Sequence, residues 1–339
     1  MRTSYANRQN GCHSINNMPY KTFDLSKLNL RPLNERAHDL CIHDLLKETP
    51  PQFHHPDLDA IAEAIKKARA NNAAVILMYG AHVIRRGLGK YLIELMEQGI
   101  VTHLATNGAG AIHDFELSMV GGTCESVGRY ISEGQFGLWQ ETGLLNDAVK
   151  LGAKQGLGFG ESVGKYINEN NFKYAKHSVL AAGQRLQVPA TVHVGIGNDI
   201  VHQHPNCCGA SVGAASMTDF LIYAKSVENL ESGVFLNVGS AVTGPEVYLK
   251  CLAMARNVAR QQGKQIANFT TAVFDMQLLT GDVATEPCKT NPHYYFRPWK
   301  TILSRTVSDG GKSYYVQGDH MATLGNLAEK LLATITTPQ

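Results

Sequence analysis

Two short tracts carry much of the chemistry this chain can offer a nucleotide. Tyr79-Gly80-Ala81-His82 follows the apolar run Val75-Ile76-Leu77-Met78, and Thr106-Asn107-Gly108-Ala109-Gly110-Ala111 follows a second apolar run at 100–106. In the second tract Asn107 stands at the mouth of a loop in which Gly108, Ala109 and Gly110 leave backbone N–H groups almost uncovered, so a phosphate can approach them closely. Asp114, one turn further on, is placed to reach a ribose hydroxyl. A third tract, 234–246, repeats the grammar: an apolar strand, then Gly239-Ser240 and a small-residue turn, then Pro245 suited to the first turn of a helix and Glu246 favourable to its dipole. Gly239 and Ser240 are therefore a second candidate phosphate cradle.

The histidines offer a different chemistry. His113, His193, His202 and His204, with Asp199, fall in or just after expected strands, and the tract His202-Gln203-His204 sets both rings on one face if extended. Such groups suit proton transfer at neutral pH. Held together around one zinc ion, His113, His202 and His204 would instead activate water, which defines the alternative of a metal-dependent hydrolase. No HExxH-like spacing accompanies them. Proton transfer is the preferred role, and no metal is expected.

The elements that must position these groups can be read from periodicity. DLDAIAEAIKKARA (57–70) is an amphipathic helix feeding the strand at 75–78; Leu88, Leu92, Leu95 and Met96 mark a helix over 87–98; and 100–106 is the next strand. A strand, helix and strand within about 30 residues make a parallel crossover, whose ligands bind outside the carboxyl ends of the strands. Further strands are expected at 190–196, 233–238 and 269–274, and a last helix at 321–334. Asp275 then closes a strand, as either a helix cap or a carboxyl-edge group. GLGFGESVGKYI (156–167) is glycine-rich, but no apolar strand precedes it, so it reads as the start of a helix. The fold class is α/β, a Rossmann-like doubly wound and mainly parallel sheet. Residues 1–55, with Pro32, Pro50 and Pro51, form an N-terminal arm that is expected to be mobile over its first 20 residues and suited to wrapping a neighbouring subunit. Residues 56–339 form a single catalytic domain.

Composition narrows the class. A chain of 339 residues, 44% hydrophobic and 18% charged, is an ordinary globular protein, and a net charge of +2 without a Lys/Arg-rich run speaks against a nucleic-acid partner. No tract approaches the ~20 apolar residues that span a bilayer, and the polar start is unlike a signal peptide, so a cytoplasmic location is expected. Seven scattered cysteines without CxxC spacing read as reduced thiols.

GLGKYLIELMEQGIVTHLATNGAGAIHDFE (87–116) and FLNVGSAVTGPEVYLKCLAMA (235–255) resemble the deoxyhypusine synthase family and its bacterial relatives, with similarity traceable from about Val75 to Leu332. The resemblance implies a Rossmann-like fold, a dimer or tetramer, and NAD as cofactor near a subunit interface. It also implies an activity in which a polyamine is dehydrogenated and its aminoalkyl group passes through a lysine imine to an acceptor amine. On this resemblance His82, Asn107, Gly108, Ala109, Gly110, Asp199, Gly239, Ser240 and Asp319 are cofactor-binding, and Asp114 stands where the family has a ribose-binding glutamate.

The substrate half departs from the family. Thr243-Gly244-Pro245 replaces a turn that carries the family's histidine base, so His113, His202 or His204 must move the protons. In GDVATEPCKTNPHYYFRPWKTI, Trp299-Lys300 suggests Lys300 as the imine-forming lysine, with Asp282 and Glu286 standing in for the carboxylates that hold a polyamine. Arg297 suits an anionic substrate group, and its charge together with burial would activate Lys300. Tyr294, Tyr295 and Phe296 with Trp299 are expected to wall a channel. The expected activity is therefore NAD-dependent, deoxyhypusine-synthase-like transfer from a small-molecule amine. The alternatives are the histidine-based hydrolase and an NAD-binding protein without catalysis.

Overall fold

The computed structural model describes residues 20–333, so the first 19 residues, expected to be mobile, lie outside the described part. Among the described residues eight strands occur in chain order: β1 (Leu40–Cys41), β2 (Val75–Tyr79), β3 (His103–Asn107), β4 (Gly122–Thr123), β5 (Ala190–His193), β6 (Val234–Val238), β7 (Thr270–Asp275) and β8 (Lys312–Gln317). The short β1 and β4 pair with each other, and the other six form one sheet in the order β5-β3-β2-β6-β7-β8. Every pairing in that sheet is parallel. Numbered within the sheet, the order is three-two-one-four-five-six, the Rossmann arrangement.

The unbroken apolar character of β2 follows from burial on both faces. Val75, Leu77 and Tyr79 enter one core cluster with the helices Asp57–Ala70, Gly89–Glu97 and His320–Ala333, while Ile76 and Met78 enter another with Gly209–Val227 and Thr243–Gln261. The period of two thus assigns alternate side chains to opposite layers. A third cluster joins the helices Gly108–Val120, Leu144–Ala153 and Phe159–Glu169 beyond β5. The glycine-rich tract at 156–167 does open a helix, Phe159–Glu169.

Two expectations require correction. The strand expected at 100–106 begins only at His103, because Ile100 and Val101 form the turn that closes the preceding helix. The edge strand β8 was not expected: KSYYVQ is half-exposed rather than an apolar run, and its burial comes from lying alongside β7.

The described part of the 1–55 segment packs on this chain's own body. Arg36 makes a two-pronged pair with Glu116 at 2.8 Å for each nitrogen, with both side chains buried. Leu33, Ile42 and Leu45 are buried, and Lys90 donates to the carbonyls of Leu46 and Glu48. None of the described helices is long and apolar enough to cross a membrane.

Candidate functional site

The sheet order reverses between β2 and β6, and there two glycine turns meet. A Cβ on Gly80 would lie 2.2 Å from the Gly239 carbonyl oxygen, so the backbones are in direct contact. Gly239 adopts φ +60, and a Cβ there would fall 2.3 Å from Nε2 of His320. Only glycine fits both positions. Below the second turn Asn237 donates to the Ser240 carbonyl, and Ser240 Oγ accepts from Gly244 N–H at 2.8 Å. The helix Thr243–Gln261 starts here with no side chain of its N-cap residue, Val242, hydrogen-bonded to it. Ser240 Oγ thus caps this helix start in place of the N-cap side chain.

His320, which lies against Gly239, was not singled out from the sequence. It is 2% exposed, its ring stands edge-on to His82 at 5.8 Å, and Nδ1 has no partner. Burial drives its basicity down, to a pKa of about 4, so the ring is neutral at pH 7. Asp319, next to it, pairs with Arg86 at 3.2 Å and accepts from Met321 N–H at 2.9 Å. His82, Gly239, Ser240 and Asp319, drawn from the segments that follow β2, β6 and β8, are therefore neighbours around the crevice. The signal that would have found His320 is its place just past a strand, which becomes visible once KSYYVQ is recognised as one.

The loop after β3 is built differently from expectation. Asn107 Oδ1 caps the helix Gly108–Val120 by accepting from Gly110 N–H at 2.9 Å. Asp199 sits against the same helix start: a Cβ on Gly108 would lie 2.1 Å from Asp199 Oδ2. A carboxylate already faces this dipole, so Gly108, Ala109 and Gly110 are not an open phosphate cradle, and a cationic or hydrogen-donating group suits the spot better. Burial raises Asp199 to a pKa of about 6. Asp114 does not face the loop at all. Its carboxylate accepts from Val179 N–H at 2.7 Å, Leu180 N–H at 3.2 Å and Ser178 Oγ at 2.5 Å, capping the helix Val179–Leu186. Its three bonds commit it to structure and remove it as a ribose ligand.

The three candidate histidines are separated. His204 is fully buried, with Nε2 bonded to the Gly137 carbonyl at 2.7 Å and Nδ1 packed against Gly143. His202 Nδ1 accepts from the N–H groups of Gly197 and Asp199 at 3.2 and 3.3 Å. His113 Nδ1 meets Thr123 Oγ1 at 2.8 Å, while that hydroxyl donates to Glu116 at 2.7 Å. Thr123 has one hydrogen and has spent it on Glu116, so Nδ1 of His113 is the donor and Nε2 keeps its lone pair. Burial holds His113 neutral, with a pKa of about 4. Among the described residues no three His, Cys, Asp or Glu side chains converge as a metal site, and the three rings point to three separate partner sets. The zinc-hydrolase alternative is corrected accordingly.

Lys300 lies on the π-helical segment Trp299–Arg305 and is 6% exposed. Its Nζ is 3.5 Å from Glu286 and 3.6 Å above the Tyr294 ring, both of which attract a cation. Arg297 is turned away to Glu246, and Glu286 also holds Arg305. Asp282 closes its own turn through Ala284 N–H and Thr285. Trp299 is buried and donates to the Thr285 carbonyl. The expected cationic activation of Lys300 by Arg297 is therefore not built. Tyr295 is 84% exposed, which leaves it outside any channel wall. Asp275 accepts from Gln277 N–H at 3.1 Å in a turn, with no helix to cap.

Comparison with known proteins places the fold. The sequence model of the C-terminal Rossmann-fold domain of ArgZ-like arginine dihydrolases matches residues 59–138. A mutant of AgrE in complex with L-arginine superposes with a TM-score of 0.50 at 19% identity, covering 83% of this chain and 33% of AgrE. Apo ArgZ, the arginine dihydrolase of the cyanobacterial ornithine-ammonia cycle, gives a TM-score of 0.49 at 15% identity, with 84% and 34% covered. A candidate deoxyhypusine synthase from Entamoeba histolytica gives 0.41 at 10% identity, with 86% and 85% covered. No curated protein matches the sequence significantly. This chain spans about a third of the length of AgrE and ArgZ. It has the Rossmann fold, with the local sequence likeness to the ArgZ-like domain in its first crossover, while the deoxyhypusine synthase likeness is distant.

Proposed function

We propose that this chain binds NAD at the β2–β6 crevice and serves an enzyme acting on a small amino compound. The observation that carries the reading is the crevice itself: Gly80 and Gly239 in contact at the reversal of a parallel sheet, the start of the helix Thr243–Gln261 beside them, and the unpartnered Nδ1 of His320. Residues Ser240 to Thr243 would hold the phosphates of a dinucleotide, and His320 would offer a hydrogen bond to it. When bound, NAD supplies the acceptor for the electrons of an oxidised C–N bond. AgrE supports the class of ligand, since another of its structures is a ternary complex with ornithine and NAD+. His113, through Nε2, and Asp199, beside Gly108, are the groups proposed to handle the proton and the cationic end of the substrate.

The test is titration with NAD+ followed by assay of NADH formation with L-ornithine and simple diamines. Gly239→Val should abolish binding by filling the space against His320. NAD+ binding that survives Gly239→Val would remove the crevice as the site.

Aminoalkyl transfer through Lys300 is the finer, second reading. It is favoured by the burial of Lys300 between a carboxylate and an aromatic ring, a setting that also suits a polyamine. Borohydride trapping with NAD and spermidine should label Lys300 if it holds, and an unlabelled Lys300 in turning-over enzyme rejects it. The dimer or tetramer belongs to this reading too, and light scattering of the purified protein measures it.

A further inference from the structure

A buried chain of hydrogen bonds runs along one face of the sheet at β3 and β5. His103 opens β3 and His193 closes β5 in register with Asn107. Between them, His103 Nδ1 is 2.8 Å from Ser226 Oγ, His103 Nε2 is 2.9 Å from Thr191 Oγ1, and Thr191 Oγ1 is 3.0 Å from His193 Nε2. The two rings and Thr191 are almost wholly buried, and Tyr223 packs edge-on against both rings at 5.1 and 5.2 Å. Ser226, on the helix Gly209–Val227, is partly exposed. A burial of this kind is expensive unless every member is satisfied.

Hydrogen counting restricts this chain to two states. Thr191 has a single hydroxyl hydrogen and sits between two imidazole nitrogens, so it donates to one and accepts from the other. If it donates to His193, then His193 carries its hydrogen on Nδ1 while His103 carries its own on Nε2 and accepts from Ser226. If it donates to His103, both histidines reverse: His193 is protonated on Nε2 and His103 donates from Nδ1 to Ser226. In either state the tautomers are opposite.

We propose that Ser226-His103-Thr191-His193 is a two-state proton relay linking solvent at the helix Gly209–Val227 to the carboxyl edge of the sheet at Asn107. Passing from the first state to the second, Ser226 gives its hydrogen to His103 Nδ1 and is reprotonated by water. His103 gives its Nε2 hydrogen to Thr191, Thr191 gives its own to His193 Nε2, and His193 releases the Nδ1 hydrogen at the edge. One proton enters, one leaves, and each step breaks one bond and makes one. Both rings are held neutral by burial, at pKa values of about 3 and about 4, as a tautomeric relay requires. What the relay serves rests on the proposed amine oxidation; the relay itself does not.

The test is nitrogen-15 NMR of the histidine rings in the whole protein, with His103→Gln and His193→Gln for assignment, together with measurement of exchange of the ring N–H hydrogens with water. Wild type should show opposite tautomers at His103 and His193. Thr191→Val should uncouple them, shift each tautomer ratio by roughly tenfold, the worth of one buried hydrogen bond, and slow exchange at His193. Thr191→Ser, which keeps the hydroxyl, should restore both readouts and controls for damage to the fold. Identical tautomers in wild type, or a Thr191→Val protein with unchanged tautomers and exchange, overturns the relay. NAD+ titration of the same variants separates the two ideas: loss of the relay with intact NAD+ binding rejects only the relay, and failure of wild type to bind NAD+ rejects only the function it was proposed to serve.

Discussion

His103 is fully buried with both ring nitrogens engaged, and burial holds it neutral down to a pKa of about 3. In the unfolded chain the ring takes up a proton near pH 6.5, so between pH 6.5 and 3 the unfolded state binds the additional proton. Its contribution is therefore complete above pH 6.5 and lost as pH falls. Comparing wild type with His103→Gln by urea unfolding should show the wild-type stability falling more steeply with acid, by up to about 1.4 kcal/mol per pH unit. Equal slopes would show that the ring is protonated in the folded protein. Asp114 makes a second residue-scale prediction. Because it caps the helix Val179–Leu186 with three bonds, Asp114→Ala should cost about 1–3 kcal/mol while leaving NAD+ affinity unchanged. Weakened NAD+ binding with little loss of stability would return Asp114 to the cofactor.

At the level of elements, the contact of the β2 and β6 turns makes a sharp prediction. Gly80→Ala forces a methyl group to within 2.2 Å of the Gly239 oxygen, and neither partner is a flexible side-chain tip. The variant should lose NAD+ binding and melt at a lower temperature by calorimetry; a variant that binds NAD+ like wild type would mean that the two turns are free to part. Much of this level was legible in the chain. The apolar runs at 75–78, 233–238 and 269–274 announced strands buried on both faces, and the small residues after them announced the carboxyl edge. β8 escaped because an edge strand of alternating exposure carries no such run, and His320 escaped with it. Long-range partners escaped for another reason. Nothing local to Asp114 or Gly108 reveals that the one accepts from Val179 N–H or that Asp199 crowds the other, since those contacts exist only after helices from distant parts of the chain pack together. The same holds for Lys300, whose sequence neighbour Arg297 turns to Glu246.

Across the whole molecule, the segment before the first crossover is fastened by one buried ion pair. Arg36 and Glu116 are satisfied by each other and by Thr123, Thr142 and His38, so Arg36→Met leaves a buried carboxylate without its counter-charge. That change should cost about 3–5 kcal/mol in denaturant unfolding, and a loss below 1 kcal/mol would show that the segment contributes little to the fold. The Thr123–Glu116 link also sets the His113 tautomer, so the same ion pair is coupled to that ring. NAD+ binding at the crevice between β2 and β6 is measured by calorimetric titration of the stripped protein. Saturable binding of about one molecule per chain, lost in Gly239→Val, is the predicted result. No heat of binding at millimolar NAD+, with the protein folded, would contradict it.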